Sequence, residues 1–189
     1  ALTQQGVDMF ELMLIPLVAC LILVGIHAYL GFHVIERGVI FVDLALAQMA
    51  ALGGIVGLFF QHNLFISPYW FSLGFTLLGA ALFAGINFKQ SKVSQEAFIG
   101  IVYIASAALA ILILSKTSVE SESIKEMLVG NILFIQSGTL LKIVLLYSVI
   151  GIFHYFFRKK FLEVTQSYSD LQKPSAPLWD FLFYASFAV

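Results

Sequence analysis

Five long apolar stretches, each close to the roughly 20 residues a helix needs to cross a bilayer's hydrocarbon core, decide what this chain can fold into. They cover residues 10–31, 39–60, 69–88, 97–114 and 138–157. Backbone groups in lipid must find hydrogen bonds within the protein, so each stretch reads as a helix. The predicted class is all-α: one polytopic transmembrane helix bundle over residues 1–189, with about five complete spans plus the start of another. That start is LWDFLFYASFAV, from Leu178 onward, which is shorter than a span, so the chain is expected to break off inside a helix.

Composition agrees with a membrane class: 60% of residues are hydrophobic and 11% charged, and 19 are Phe. The formal charge of -1 leaves no basic footprint for nucleic acid. Cys20 is the only cysteine, which excludes an internal disulfide, and its apolar setting reads as a small buried hydrophobe. Asp8 and Glu11 stand at the N-terminal edge of the first apolar run, where a signal peptide would carry basic residues, so no removable targeting segment is expected.

Basic residues set the orientation, because cytoplasmic loops are rich in Lys and Arg. With the N-terminus outside, Arg37, Lys89, Lys92, Arg158, Lys159, Lys160 and Lys173 are cytoplasmic, seven of the ten. Residues 118–136 then lie outside, and SIKEMLVGNILFI within them fits an amphipathic interfacial helix or a short re-entrant piece.

The second span pairs small residues four apart, Ala47 with Ala51, Ala50 with Gly54 and Gly53 with Gly57, which lets neighbouring backbones approach. It therefore reads as a central helix. The span also holds Asp43, one turn in from its cytoplasmic end, and Gln48 about 13 Å deep. Asp43 has three roles open to it: a partner for Arg37 or another basic residue at the rim, a carboxylate favoured by the helix dipole, or a cation contact. Gln48 is either an interhelical hydrogen-bonding amide or a polar step on a pathway. Five residues turn a helix by about 500°, so the two do not share a face. Met49 beside them reads as a gap-filling side chain or a pathway candidate.

His27, His33, His62 and His154 include no pair at the three- or four-residue spacing that aligns two ligands on a helix. HExxH, GxSxG and GxxxxGK are all absent, so no enzyme activity is expected and any ATP must be bound and hydrolysed by another subunit. Residues 158–180, RKKFLEVTQSYSDLQKPSAPLWD, form the longest polar stretch, read as a solvated loop with a basic anchor or a docking surface.

Together these stretches resemble the permease subunit of bacterial ABC importers for zinc, manganese and related divalent metals. In that family an Arg before a span is followed by an aromatic, an Asp-x-x-x-His step, small residues and a Gly. Arg37, Phe41, Gln48 and Gly53 stand at those places, with Gln48 where the family keeps its His and Asp43 one place before the family's Asp, at Leu44. Glu96 and Gly100 match the acid-x-x-x-Gly-Ile opening of a later span, and Gly130, Ile132 and Leu133 match a Phe-Gly-x-Ile-Leu stretch.

The resemblance implies a bacterial cytoplasmic (inner) membrane location, a second permease copy, two cytoplasmic ATPase subunits and an extracytoplasmic solute-binding protein. No cofactor is implied on this chain itself; ATP belongs to the partner and a divalent metal is the cargo. The implied pathway candidates are Asp43, Gln48 and Met49, with Asp43 and Gln48 as weak metal contacts. Arg37 and Glu96 are cytoplasmic-side charges. The family's ATPase-docking loop corresponds to residues 163–177, whose charged residues Glu163, Asp170 and Lys173 are the coupling candidates. The expected function is import of zinc, manganese or iron. Import of a metal chelate or other small solute, or a non-transport scaffold role, are the alternatives.

Overall fold

The computed structural model describes residues 2–64, 67–86, 93–116, 135–168 and 176–188, and every regular element among them is a helix. In chain order these are α1 (Leu2–Arg37), α2 (Val42–Leu64), α3 (Pro68–Gly85), α4 (Gln95–Leu114), α5 (Ser137–Gln166) and α6 (Pro177–Ala188). Five of them contain a membrane-length apolar stretch: Met13–Arg37, Val42–Phe60, Pro68–Gly85, Gln95–Leu114 and Ser137–Gln166. The expected all-α bundle is therefore observed, with α6 as the further helix.

Two boundaries differ from the hydropathy reading in an informative way. α1 continues past residue 31 to Arg37, and α5 continues past residue 157 to Gln166. Residues 158–166 were expected to open a loop, but their polarity is amphipathic rather than irregular. Phe161, Val164 and Thr165 are buried at helical spacing, while Arg158, Lys159, Lys160 and Glu163 are exposed. Loss of hydropathy marks where the helix meets water, and good helix formers such as Arg, Lys and Glu carry it onward.

Between α1 and α2 the chain reverses through one glycine. The Gly38 amide donates to the Ile35 carbonyl (3.0 Å) and the Val39 amide to the Val34 carbonyl (3.1 Å), the paired closure of a Schellman motif. Gly38 has φ +67°, where a side chain meets its own backbone, and Val34 and Val39, the positions of the motif's apolar pair, are both buried in one cluster. Gly38→Ala is expected to cost about 1–2 kcal/mol, read from unfolding of the purified protein in detergent. An unchanged midpoint would show that the turn relaxes freely.

α2 is the central helix. Half of its apolar window is buried, against 6–22% for the other four spans, and it packs on α3 and α4. α6 lies against α3, and α1 against α5. Gly53 and Gly57 of α2 face α3, and a methyl group built on Gly53 would lie 2.5 Å from the Phe71 carbonyl oxygen and 2.9 Å from Ser72 Cα. That is the close backbone approach the small-residue spacing predicted. Large apolar side chains such as Leu21, Val24, Ile101, Ile104, Val149 and Ile152 stay exposed, as a lipid or partner-facing exterior requires. Cys20 is exposed among them rather than buried as expected, because it points away from the rest of the bundle.

Candidate functional site

The pathway candidates on α2 go to three different environments. Asp43 is exposed in the first turn of α2, where the helix dipole favours a carboxylate. Gln48 lines a groove of about 400 Å³ between α2 and α3, with Ala47, Ala50, Ala51, Gly54 and Ser72 among its walls. Met49 is buried and packs its sulfur toward Gly79 of α3. The roughly 140° between Asp43 and Gln48 implied by helix geometry is what sends them to different surroundings.

Arg37 does not meet Asp43. The guanidinium at the end of α1 is buried, and its Nη1 donates to Asp180 Oδ1 on α6 at 2.9 Å, with both side chains nearly water-free (0% and 6% exposed). Its Nε donates to Thr165 Oγ1 on α5 at 2.9 Å. The carbon centre of the guanidinium lies 4.0 Å from the Phe183 ring centroid and 5.2 Å from that of Tyr168, so aromatic faces cover the cation. Three helices thus converge on one side chain. Burial raises the Tyr168 phenol far above its ordinary range, and Tyr184 and Asp180 push the same way, so it remains a neutral hydroxyl at physiological pH.

Two histidines extend the cluster. His33 Nδ1 lies 2.8 Å from Thr165 Oγ1, and His154 Nε2 lies 2.8 Å from Ser186 Oγ on α6. Ser186 Oγ also lies 2.9 Å from the Leu182 carbonyl, to which its hydroxyl can donate. Tyr29 stands between the two rings, 4.9 Å from His33 and 5.5 Å from His154, centroid to centroid. His33 and His154 are 121 residues apart in sequence, and spacing could not have joined them. Two imidazoles are too few for a tetrahedral transition-metal site, and no group of three His, Cys, Asp or Glu side chains gathers among the described residues. His27 hydrogen-bonds the Leu23 carbonyl of its own helix (2.8 Å).

Glu96, in the first turn of α4, accepts from the Phe41 amide at 3.1 Å and so caps the start of α2. Glu163 is on α5 rather than in a loop, exposed and paired with Lys160 at 3.1 Å. Asp170, Lys173, Gly130, Ile132 and Leu133 lie outside the described residues. The residue that sequence reasoning missed is Asp180, placed in the polar stretch by its neighbours. Its only local signal was an acidic residue just after Pro177, the pattern of a helix start.

The structure is similar to PsaBC from Streptococcus pneumoniae, solved in complex with Fab. The TM-score is 0.65 at 19% sequence identity, over 97% of this chain and 67% of that one. At that identity the likeness establishes the fold alone. No curated protein matches the chain. The sequence model of the ABC 3 transport family matches residues 9–175, a stretch that runs through all five membrane-length helices, and the chain belongs to that family as an integral membrane permease.

Proposed function

We propose that the chain is the membrane-spanning permease of an ATP-driven importer that moves divalent metal ions, zinc, manganese or iron, into the cytoplasm. The observation that carries this reading is the family match over residues 9–175. The chain would work in the bacterial cytoplasmic membrane with its N-terminus outside. Its partners would be a second permease copy, two cytoplasmic ATPases that bind and hydrolyse ATP, and an extracytoplasmic solute-binding protein. Catalysis belongs to the ATPases; this chain supplies the route.

Support for the route comes from α2, the most enclosed helix, whose groove presents the Gln48 amide among small residues. A neutral oxygen donor passes a cation on without holding it as an imidazole would. Asp43, exposed at the cytoplasmic end of α2, supplies a charge where the ion would leave. With expression and assembly equal, Gln48→Ala and Asp43→Asn in the complete transporter are expected to lower uptake of Mn²⁺ and Zn²⁺ about tenfold each, equivalent to ~1.4 kcal/mol on the crossing barrier. Unchanged uptake in both variants would remove them from the pathway.

The amide at position 48 and the width of its groove also favour a second reading, import of a metal chelate. Growth rescue of a depleted strain by a chelate but not by the free ion would select it.

A further inference from the structure

We propose that Arg37 is a positioning residue that ties both stems of the ATPase-docking segment to α1, and through α1 to the central helix α2. This rests on the importer reading above, in which residues 163–177 face the ATPase. Thr165 is on the last turn of α5 and Asp180 is in the first turn of α6, so Arg37's two partners flank the docking segment in sequence. One guanidinium donates to both, from Nε to Thr165 and from Nη1 to Asp180, each at 2.9 Å. The donors of a guanidinium are held in one rigid plane, so this pair of bonds sets the spacing of the two stems as well as attaching them.

Burial distinguishes the arrangement from an ordinary ion pair at a membrane rim. An exposed pair holds loosely and is screened by salt. Here both charged side chains are nearly water-free and Phe183 covers the cation at 4.0 Å. A second bond reinforces the first: His33, one turn before Arg37, also reaches Thr165 Oγ1 (2.8 Å). On the other side of Arg37 the chain enters the Gly38 turn, and Val39 and Val42, both fully buried, seat the start of α2 five residues later. A displacement of either stem therefore acts on Arg37, at the entrance to the hairpin whose second helix carries Gln48.

The test uses the assembled transporter in proteoliposomes, with Mn²⁺, Zn²⁺ and Fe²⁺ as probes, measuring metal uptake and ATP hydrolysis in the same vesicles. Thr165→Val removes the α5 acceptor and leaves the ion pair in place. Arg37→Lys keeps the charge but offers a single ammonium that cannot span both stems. Both variants are expected to hydrolyse ATP within about twofold of wild type while metal moved per ATP falls at least about fivefold, in the range of measured coupling energies. That ratio is independent of how much protein is folded, so a purely structural role would not change it. An unchanged ratio, including the case where uptake and hydrolysis fall together, overturns the proposal. A wild-type complex that moves none of the three metals with ATP overturns the importer reading itself and this inference with it.

Discussion

Arg37→Met is expected to lower the unfolding free energy by about 3–5 kcal/mol, because it removes the countercharge of the buried Asp180 carboxylate in a site built for an ion pair. Asp180 is 4% exposed and sits in the same helix as Phe183 and Tyr184, neither of which is exposed at all. A buried carboxylate that has lost its countercharge must take up a proton or draw in water, and both disturb the packing of α6 on α3. Asp180→Leu should cost a similar amount by stranding the guanidinium. Removing both charges together, Arg37→Met with Asp180→Leu, is expected to restore most of the loss, since well-packed apolar side chains can replace a buried pair with little net change. Equilibrium unfolding in mixed detergent micelles measures all three. Single variants that both unfold within about 1 kcal/mol of wild type would show that water reaches the pair.

Gly53→Leu is expected to separate α2 from α3 and to abolish the folded protein. A side chain at residue 53 would meet the Phe71 carbonyl oxygen at 2.5 Å, Phe75 Cβ at 2.8 Å and Ser72 Cα at 2.9 Å, the first and last of them backbone. Backbone cannot rotate aside as a side chain can, so even Gly53→Ala should cost about 1–3 kcal/mol by overpacking. Gly79 supplies an internal contrast. Its nearest neighbour at 2.5 Å is the sulfur of Met49, a flexible side chain that can move, so Gly79→Ala should be milder. Gly74 and Gly100 have open space around the added methyl, and Ala at either should leave stability near wild type. Yields of folded protein by size-exclusion chromatography should rank the variants in that order. A Gly53→Leu chain that folds normally would mean that the two helices are free to move apart.

Much of this fold was legible because the signals that specify it are local. A run of apolar residues long enough to span lipid is visible in one window of sequence, and the alternation of small residues on α2 reports its close packing without reference to any partner. The angular separation of Gln48 from Asp43 follows from helix geometry alone, and the two side chains have different surroundings. The turn at Gly38 was less visible, since hydropathy stops at residue 31 while the helix does not. The same limit misread residues 158–166, where a helix emerging from lipid becomes polar on one side only.

The site was legible in part. Arg37 and Glu96 stood out as charges beside spans, yet what each one meets lies on another helix: Asp180 is 143 residues from Arg37, and Glu96 is 55 from Phe41. The nearest carboxylate on the following span, Asp43, was a reasonable partner for Arg37 in one dimension. Arg37 is instead turned inward over Phe183, and Asp43 sits on the exposed side of α2. His33 and His154 show the same limit, since helix spacing tests only ligands on one helix.

By itself, then, the sequence determined the class, the five membrane-length helices among the described residues and which of them is central, because hydropathy and side-chain size act over one or two turns of a single helix. Only the tertiary structure decided which buried charges face one another. A guanidinium in a low-dielectric interior takes the carboxylate and hydroxyl that the packing of α1, α5 and α6 brings within hydrogen-bond reach, and that choice is made in space, not along the chain.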